Sequence, residues 1–362
     1  MENNELKHLL GLVRYDKFGA IRVAKLRNFF STLAEAYHAS ERGLMQAGVE
    51  PKVAAGFIAA RSKINPDVEL ELLERHNVHV IPFGDERYPQ LLSTIYDPPA
   101  CLFVRGNLPT PDAAYFSVVG SRKMTRYGEQ ATYDLIYPVA EAGLVITSGL
   151  ALGVDAAAHQ AALDVGGTTV AVLASGLDEI QIGPKQNLGL AHQIIERGGA
   201  LVSEFPIGTE AFKSHFPFRN RIISGLARGV IVIEAAERSG TLITARSALE
   251  QGREVFAVPG PITSPLSVGP NNLIKMGAHP TTEAADILNV LGVEAGTSDL
   301  PAPEPESEIE KLILQQLSKH PVHVDLIIQQ TKLETPEVTS TLTLMEMKGM
   351  VRHLGGMNYV KR

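Results

Sequence analysis

The sequence predicts an α/β protein built on an extended Rossmann-like, doubly wound parallel sheet, with a helical domain before it and a small helix-and-hairpin domain after it. Three observations carry this. Between Tyr115 and Leu288, six short β-branched runs (YFSVVGS, LVITSG, TVAVLASG, ALVSEF, GVIVIEA and EVFAVPG) alternate with helical patterns such as GEQATYDLIYPVAEAG, GVDAAAHQAALDVG and TLITARSALEQG. Strands apolar on both faces, alternating with helices, pack as a parallel sheet covered on both sides. Before these runs apolar residues recur at helical spacing, and after them a Pro-rich stretch sets off a short C-terminal unit.

The first element is a helical domain over residues 1–80. Leu6, Leu9, Leu10 and Val13 fall on one stripe, and Val53, Phe57 and Ile58 on another. Gly43, Gly48 and Gly56 punctuate it, and Pro51 suits the start of a helix. The connector VIPFGDERYPQLLSTIYDPPACLFVRGN reads as irregular, because its prolines limit regular structure. The sheet domain takes residues 81–291. Residues 292–307, GVEAGTSDLPAPEPES, lack any hydrophobic period and read as an extended linker.

Residues 308–362 follow with EIEKLILQQLSKH and VDLIIQQT as amphipathic helices. A third helix, TPEVTSTLTLMEMKG, has Thr335 as its expected N-cap ahead of Pro336. MVRHL and MNYVKR form a hairpin around Gly355-Gly356. Three helices and a hairpin make a winged helix. Its presumed recognition helix, 336–348, offers Glu337, Glu346 and only Lys348, which argues for an auxiliary or protein-contact role over strong phosphate binding.

The totals narrow the function. A formal charge of −7 and a pI near 5.9 give no global signature of nucleic-acid binding. A basic cleft on an acidic body still focuses a local field. One cysteine, Cys101, rules out an intrachain disulfide and argues against cysteine-based zinc. MENNELKHLLGLVRY lacks a basic head and an apolar core, and no apolar run approaches the ~20 residues a span needs. The expectation is a cytoplasmic protein without membrane partners.

Several catalytic signatures are missing. The G-x-G-x-x-G fingerprint, the G-x-x-x-x-G-K-[ST] phosphate loop and the G-x-S-x-G elbow are all absent. His76 with His79, and His320 with His323, lack companion ligands, so no metal or cofactor is expected. Asp155 and His159, four apart in GVDAAAH, are either an acid/base pair or a helix-terminus carboxylate with a packed histidine. Glu234 and Glu237 are the other candidate carboxylates. No nucleophile or base with an orienting partner assembles from these residues, so the expectation is a protein that is not an enzyme.

What is present is a set of small residues at strand ends, Gly120-Ser121, Ser148-Gly149, Ser175-Gly176 and Pro259-Gly260. They either make the strand-to-helix turns or let a ligand's phosphates and bases approach backbone N–H groups. Cations gather at the same edge: Arg122 and Lys123, Lys185, then Lys213, Arg219 and Arg221. From Lys213 to Arg253 seven Lys/Arg stand against Glu234, Glu237 and Glu250, a local excess of four. In FPFRNRIISG, a helix would point Arg219 and Arg221 about 200° apart, so that one reaches the cleft while the other braces a carboxylate. In a loop both would converge on phosphates. Phe216 or Phe218 either stacks on an unpaired base or packs in the core. The chemistry suits a polyanion bearing bases.

The ordered motifs VVGSR, SGLALGVDAAAH, FPFRNRIISGL, VIEAAERSGTLITARSALEQGREVFAVPG and GPNNLIKMGA, with DERYPQLL and DPPACLFVRGN before them, resemble the DprA (Smf) family of DNA-processing proteins over most of residues 80–290. The resemblance implies a homodimer that binds single-stranded DNA without cutting it. It also implies loading of the RecA recombinase during natural transformation, with single-strand binding protein displaced or cooperating. By motif, the DNA pocket would comprise Gly120, Ser121, Arg122, Ser148, Gly149, Phe216, Arg219, Asn220 and Arg221, with Ser239, Gly240 and Thr241 of the SGT segment. Lys185 and Asn187 follow by position only, since GLDEIQIGPKQN lacks the family's usual tyrosine and is longer before Pro184. The winged helix is one that some family members carry, and the N-terminal region resembles the family's sterile-alpha-motif-like or helix-hairpin-helix unit.

A rival reading is a nucleotide-acting enzyme of the lysine-decarboxylase-like phosphoribohydrolase type. That group uses a PGGxGT loop, where this chain has AAERSGTLITA, with Glu234 and Arg246 nearby.

Overall fold

A computed structural model describes residues 3–293, 305–318, 322–353 and 356–361. The chain divides into two compact units, Met1–Gly296 and Thr297–Arg362. The helical region and the sheet share the first unit, and residue 80 falls inside a strand. Most of the expected linker, 294–304, lies outside the described residues.

Helices Asn3–Val13, Ala20–Phe29, Leu33–His38, Glu41–Gln46, Pro51–Arg61 and Pro66–Arg75 open the first unit. Local chemistry starts them: Thr32 and Ser40 accept N–H bonds at their N-caps, and Pro51 and Pro66 stand in first turns. Leu9, Leu10 and Phe57 are fully buried and Leu6, Val13, Val53 and Ile58 pack around them, so both apolar stripes face one core.

The large sheet contains β1 (His79–Pro82), β2 (Cys101–Gly106), β3 (Tyr115–Val119), β4 (Val145–Ser148), β5 (Thr169–Leu173), β6 (Ala200–Ser203), β7 (Gly229–Val232), β8 (Glu254–Ala257) and β9 (His279–Pro280). Their order is β1-β2-β6-β5-β4-β3-β7-β8-β9. All pairs from β6 to β9 are parallel, and β2 joins β6 antiparallel, with β1 antiparallel to β2. The six runs read from sequence are β3 to β8, each buried along most or all of its length. The connector expected to be irregular instead supplies β1, β2 and the short helix Gln90–Ser93. Its prolines sit at the end of β1 and between the elements, where they cost no ladder bond.

Strand order reverses between β3 and β7. Chain leaving β3 turns to one side and chain leaving β7 to the other, so a crevice opens outside their carboxyl ends. Three helices begin there: Arg126–Glu141, Val154–Asp164 and Thr241–Glu250. A fourth, His215–Leu226, runs into β7 from the same side.

The second unit holds helices Glu308–Gln316, Val324–Thr331 and Thr335–Met347 with an antiparallel sheet ordered β10 (Val322–His323), β12 (Asn358–Lys361), β11 (Val351–His353). Ile313, Ile327, Val338, Leu342, Met345 and Val351 form its core. The third helix starts one residue earlier than expected. Glu334, whose carbonyl accepts from Glu337 and Val338, is the cap, and Thr335 is already helical. Lys348, the single cation of that helix's end, is paired with Glu306 at 2.6 Å and Glu310 at 2.8 Å. Among the described residues no helix is long and apolar enough to cross a membrane, and no cluster of three potential metal ligands occurs.

Candidate nucleic-acid interface

The crevice at the strand-order reversal holds two adjoining clefts of about 280 and 360 Å³. Both are lined by Arg122, Ala151, Phe216 and Arg219. Two guanidinium groups lie at the Phe216 ring, with the Cζ of Arg122 at 5.2 Å from its centre and that of Arg219 at 5.7 Å. Both distances lie within cation–π range. Arg122 is exposed, and its guanidinium makes no hydrogen bond or ion pair among the described residues. It is a free cation on the rim.

Arg219 is different. It is 4% exposed, donates through Nη1 to the Val172 carbonyl at 2.9 Å, and leaves its Nε without a partner. Burial lowers its pKa to about 10, partly opposed by Asp155, so the group stays charged at neutral pH. A Cβ at Gly149 would overlap its guanidinium, so glycine there is what lets Arg219 cross above β4. Burial in turn raises the pKa of Asp155, against the pull of Arg219 and the backbone N–H groups of Ala151 and Gly149.

The loop after β4 is held from two sides. Asp155 accepts from Gly149 N–H at 3.1 Å and Ala151 N–H at 3.4 Å. Asn187 donates to the Leu150 and Ala151 carbonyls at 2.8 and 3.1 Å. Between these clamps Leu150 is forced to φ 57°, a left-handed conformation costly for a leucine. Gly153, at φ 78°, brings the next helix against the backbone of Ser121 and Arg122, where a side chain would collide. Across the reversal Thr241 donates to the Gly120 carbonyl at 3.1 Å, and Ser239 donates to Thr241 at 3.0 Å. These bonds fix the β3 and β7 loops to each other.

The structure thus brings together Gly120, Ser121, Arg122, Gly149, Phe216, Arg219, Asn220, Ser239, Gly240 and Thr241 along the two clefts. It does not bring the others. Ser148 is fully buried and donates to the Val118 carbonyl. Asn187 is buried, and its amide serves the Leu150 loop. Lys185 reaches back to the Glu179 and Ile180 carbonyls. Arg221 leaves the far side of its helix, 8% exposed, to meet Asp97 at 3.0 Å and Glu204 at 2.6 Å. Helical geometry is the reason, since residues two apart on a helix face nearly opposite ways. Arg238, counted in the cationic surplus but not placed in the pocket, lines the larger cleft, as do Asp155 and Leu266. No sequence signal marked Leu266 or the strain at Leu150.

The acid/base candidates have other employment. His159 is fully buried; Thr169 donates to the Ile146 carbonyl, so the 2.6 Å contact to Thr169 is a donation from His159 Nδ1. Burial holds its pKa down to about 3, and it has no hydrogen bond to Asp155. Glu234 accepts from the Thr125 N–H at 2.8 Å and hydroxyl at 2.6 Å, which anchors the start of helix Arg126–Glu141. Arg246 is paired on the surface with Glu250. Glu237 is exposed. The arrangement offers cations, a ring and backbone amides, with Asp155 engaged by the Gly149 and Ala151 N–H groups.

The profile of the family described as DNA recombination-mediator protein A matches residues 79–292, and that of the DprA winged helix domain matches 297–357. Protein Smf of Escherichia coli (strain K12) is 42% identical over 339 residues, covering 91% of this chain and 89% of its own length. The X-ray structure of DNA processing protein A from Streptococcus pneumoniae is similar with a TM-score of 0.66 at 37% identity, covering 80% of this chain and 98% of that one. A structure of DNA processing protein A from Helicobacter pylori, concerned with its single-stranded DNA binding mode, gives a TM-score of 0.53 at 29% identity, covering 59% of this chain and 95% of that one.

Proposed function

Because this chain belongs to the DNA recombination-mediator protein A (DprA, Smf) family, we propose that it binds single-stranded DNA in the crevice at the β3/β7 reversal and does so without catalysis. One observation carries the reading: the Phe216 ring lies beside the guanidinium groups of both Arg122 and Arg219. A ring beside cations is what a flexible strand needs, since every base has a face to stack and every linkage a phosphate to neutralise. Duplex DNA hides its bases and profits less. The Helicobacter pylori relative, whose structure concerns single-stranded DNA binding, supports the same ligand.

The bound strand is then delivered to the RecA recombinase during DNA uptake and recombination, with single-strand binding protein as a competitor or collaborator, by a homodimer in the cytoplasm. These finer assignments rest on the family resemblance. The winged helix acts as an auxiliary module, because its lone recognition-helix cation is neutralised by Glu306 and Glu310. The phosphoribohydrolase reading finds no support in Glu234, whose carboxylate is engaged by Thr125.

The test is anisotropy with a labelled oligothymidine across a salt series, with duplex of equal length as competitor. Salt-sensitive binding that prefers the single strand is the expected result. Absence of binding at low salt, together with release of free base from a nucleoside monophosphate, would replace this reading with the enzymatic one.

A further inference from the structure

Behind the first turn of helix His215–Leu226 lies a larger cavity of about 610 Å³, between the N-terminal helices and the sheet. Its walls are aromatic. Phe205 and His215 stack with ring centres 4.2 Å apart and planes 17° apart, and Phe212 meets His215 edge-on at 5.3 Å. Phe212 and Phe218, both on this cavity, are each 55% exposed. Such rings on a free surface leave apolar area that a ligand would cover.

The polar lining tells what that ligand is. Arg14 is paired with Glu69, Arg22 with Glu50, and Arg221 with Asp97 and Glu204. Each of these cations already faces a carboxylate, so the cavity has no surplus charge for a phosphate. Yet Arg221, more than nine-tenths buried, keeps its Nη1 without a partner. A flat, uncharged heterocycle fits this lining, with the faces of Phe212 and Phe218 for stacking and the partly exposed Asp97 carboxylate to accept from its edge.

We propose that this second cavity is a base-accepting subsite, in which the strand that crosses the sheet edge at Phe216 passes over the first turn of helix His215–Leu226 and stacks a further base on Phe218 and Phe212. Neighbouring side chains of that turn serve both sides, Phe216 in the crevice and His215 and Phe218 in the cavity. Lys213, exposed beside them, is placed to meet the phosphate in between. This inference rests on the single-strand reading above, and it predicts a longer footprint than the crevice alone gives.

The experiment compares an oligothymidine of about 5 nucleotides with one of about 20, short and long against the ~4–16 that a single binding module occupies. Phe218→Ala and Phe212→Ala are each measured beside wild type and Arg122→Ala. Both rings are half exposed, so the variants fold, and Phe218→Trp serves as rescue. Phe218→Ala should weaken the long strand roughly 5- to 150-fold, the value of one lost stack, while the short strand binds as to wild type. Equal affinity of Phe218→Ala and wild type for the long strand would overturn the subsite, and so would equal weakening of both strands. If wild type binds both lengths and only Arg122→Ala fails, the crevice stands and the cavity falls. If wild type binds neither, both fall.

Discussion

Arg219 donates to the Val172 carbonyl at 2.9 Å, while Arg221, two residues on along the same helix, is held between Asp97 at 3.0 Å and Glu204 at 2.6 Å. One helix therefore sends one guanidinium beneath the crevice and the other into a carboxylate clamp. Removing the second leaves the largely buried Glu204 uncompensated, together with Asp97, whose side chain is 32% exposed, and burial already raises the pKa of Glu204. Arg221→Ala should lose about 3–5 kcal/mol of stability, the usual cost of orphaning a buried charge. Urea unfolding measures it. A loss below about 1 kcal/mol would show that the clamp does not hold the helix to the Asp97 and Glu204 loops.

Arg122 carries the opposite signature. Arg122 is exposed and its guanidinium has, among the described residues, a cation–π contact with Phe216 and no ion pair, so Arg122→Ala should leave the unfolding midpoint within the ~0.5 kcal/mol typical of surface changes. Its effect belongs to binding. Loss of one phosphate contact should lower the slope of log affinity against log salt by about 0.7, the single-strand value per contact. Affinity should fall alike for every base composition. An unchanged slope would remove Arg122 from the phosphates.

How far the sequence shows this site depends on what each residue answers to. The six strands β3 to β8 were legible because each is a short β-branched run buried on both faces, a pattern no surface helix shares. β1 and β2 were hidden by the prolines around them, since Pro82 and Pro89 signal breaks and an edge hairpin tolerates both. The glycines and cations of the crevice were visible as a set, because strand ends and helix starts fix where a doubly wound sheet opens. What remained hidden was direction. FPFRNR names two arginines equally, and only the helix that carries them separates ligand edge from clamp. Asn187 and Lys185 lie off the clefts for a related reason: the loop from Gly176 to Asn187 folds onto its own carbonyls and onto Leu150 and Ala151, and no local pattern announces such a partner.

Phe216 offers a cleaner test of stacking. The ring is only partly buried, lies beside two guanidinium groups and lines both clefts. Phe216→Ala should weaken oligothymidine binding by about 1–3 kcal/mol, the range for one base–aromatic stack. Phe216→Trp should restore it, and Phe216→Leu, which keeps bulk without a π face, should not. Equal binding by the Leu and Trp variants would assign the ring a packing role and move stacking elsewhere.

His159 sets a pH dependence that needs no ligand. Its folded-state pKa is depressed from 6.5 to about 3, first by burial and then by Arg219, so the native protein excludes a proton that the unfolded chain accepts below pH 6.5. Stability from this group is complete above pH 6.5 and declines as pH falls toward 3, by up to about 1.4 kcal/mol per unit. Asp155 and Glu204 act in the other direction, because their raised pKa values let the native state take up protons first and gain stability as pH falls. A single titration therefore mixes both signs. Comparing wild type with His159→Gln separates them, since the carboxylates remain in both. Between about pH 7 and pH 5 wild type should lose about 2 kcal/mol more than the variant, read from urea unfolding at each pH. Parallel curves for the two proteins would mean that His159 takes up its proton in the folded state as readily as in the unfolded chain, against its burial beneath Arg219.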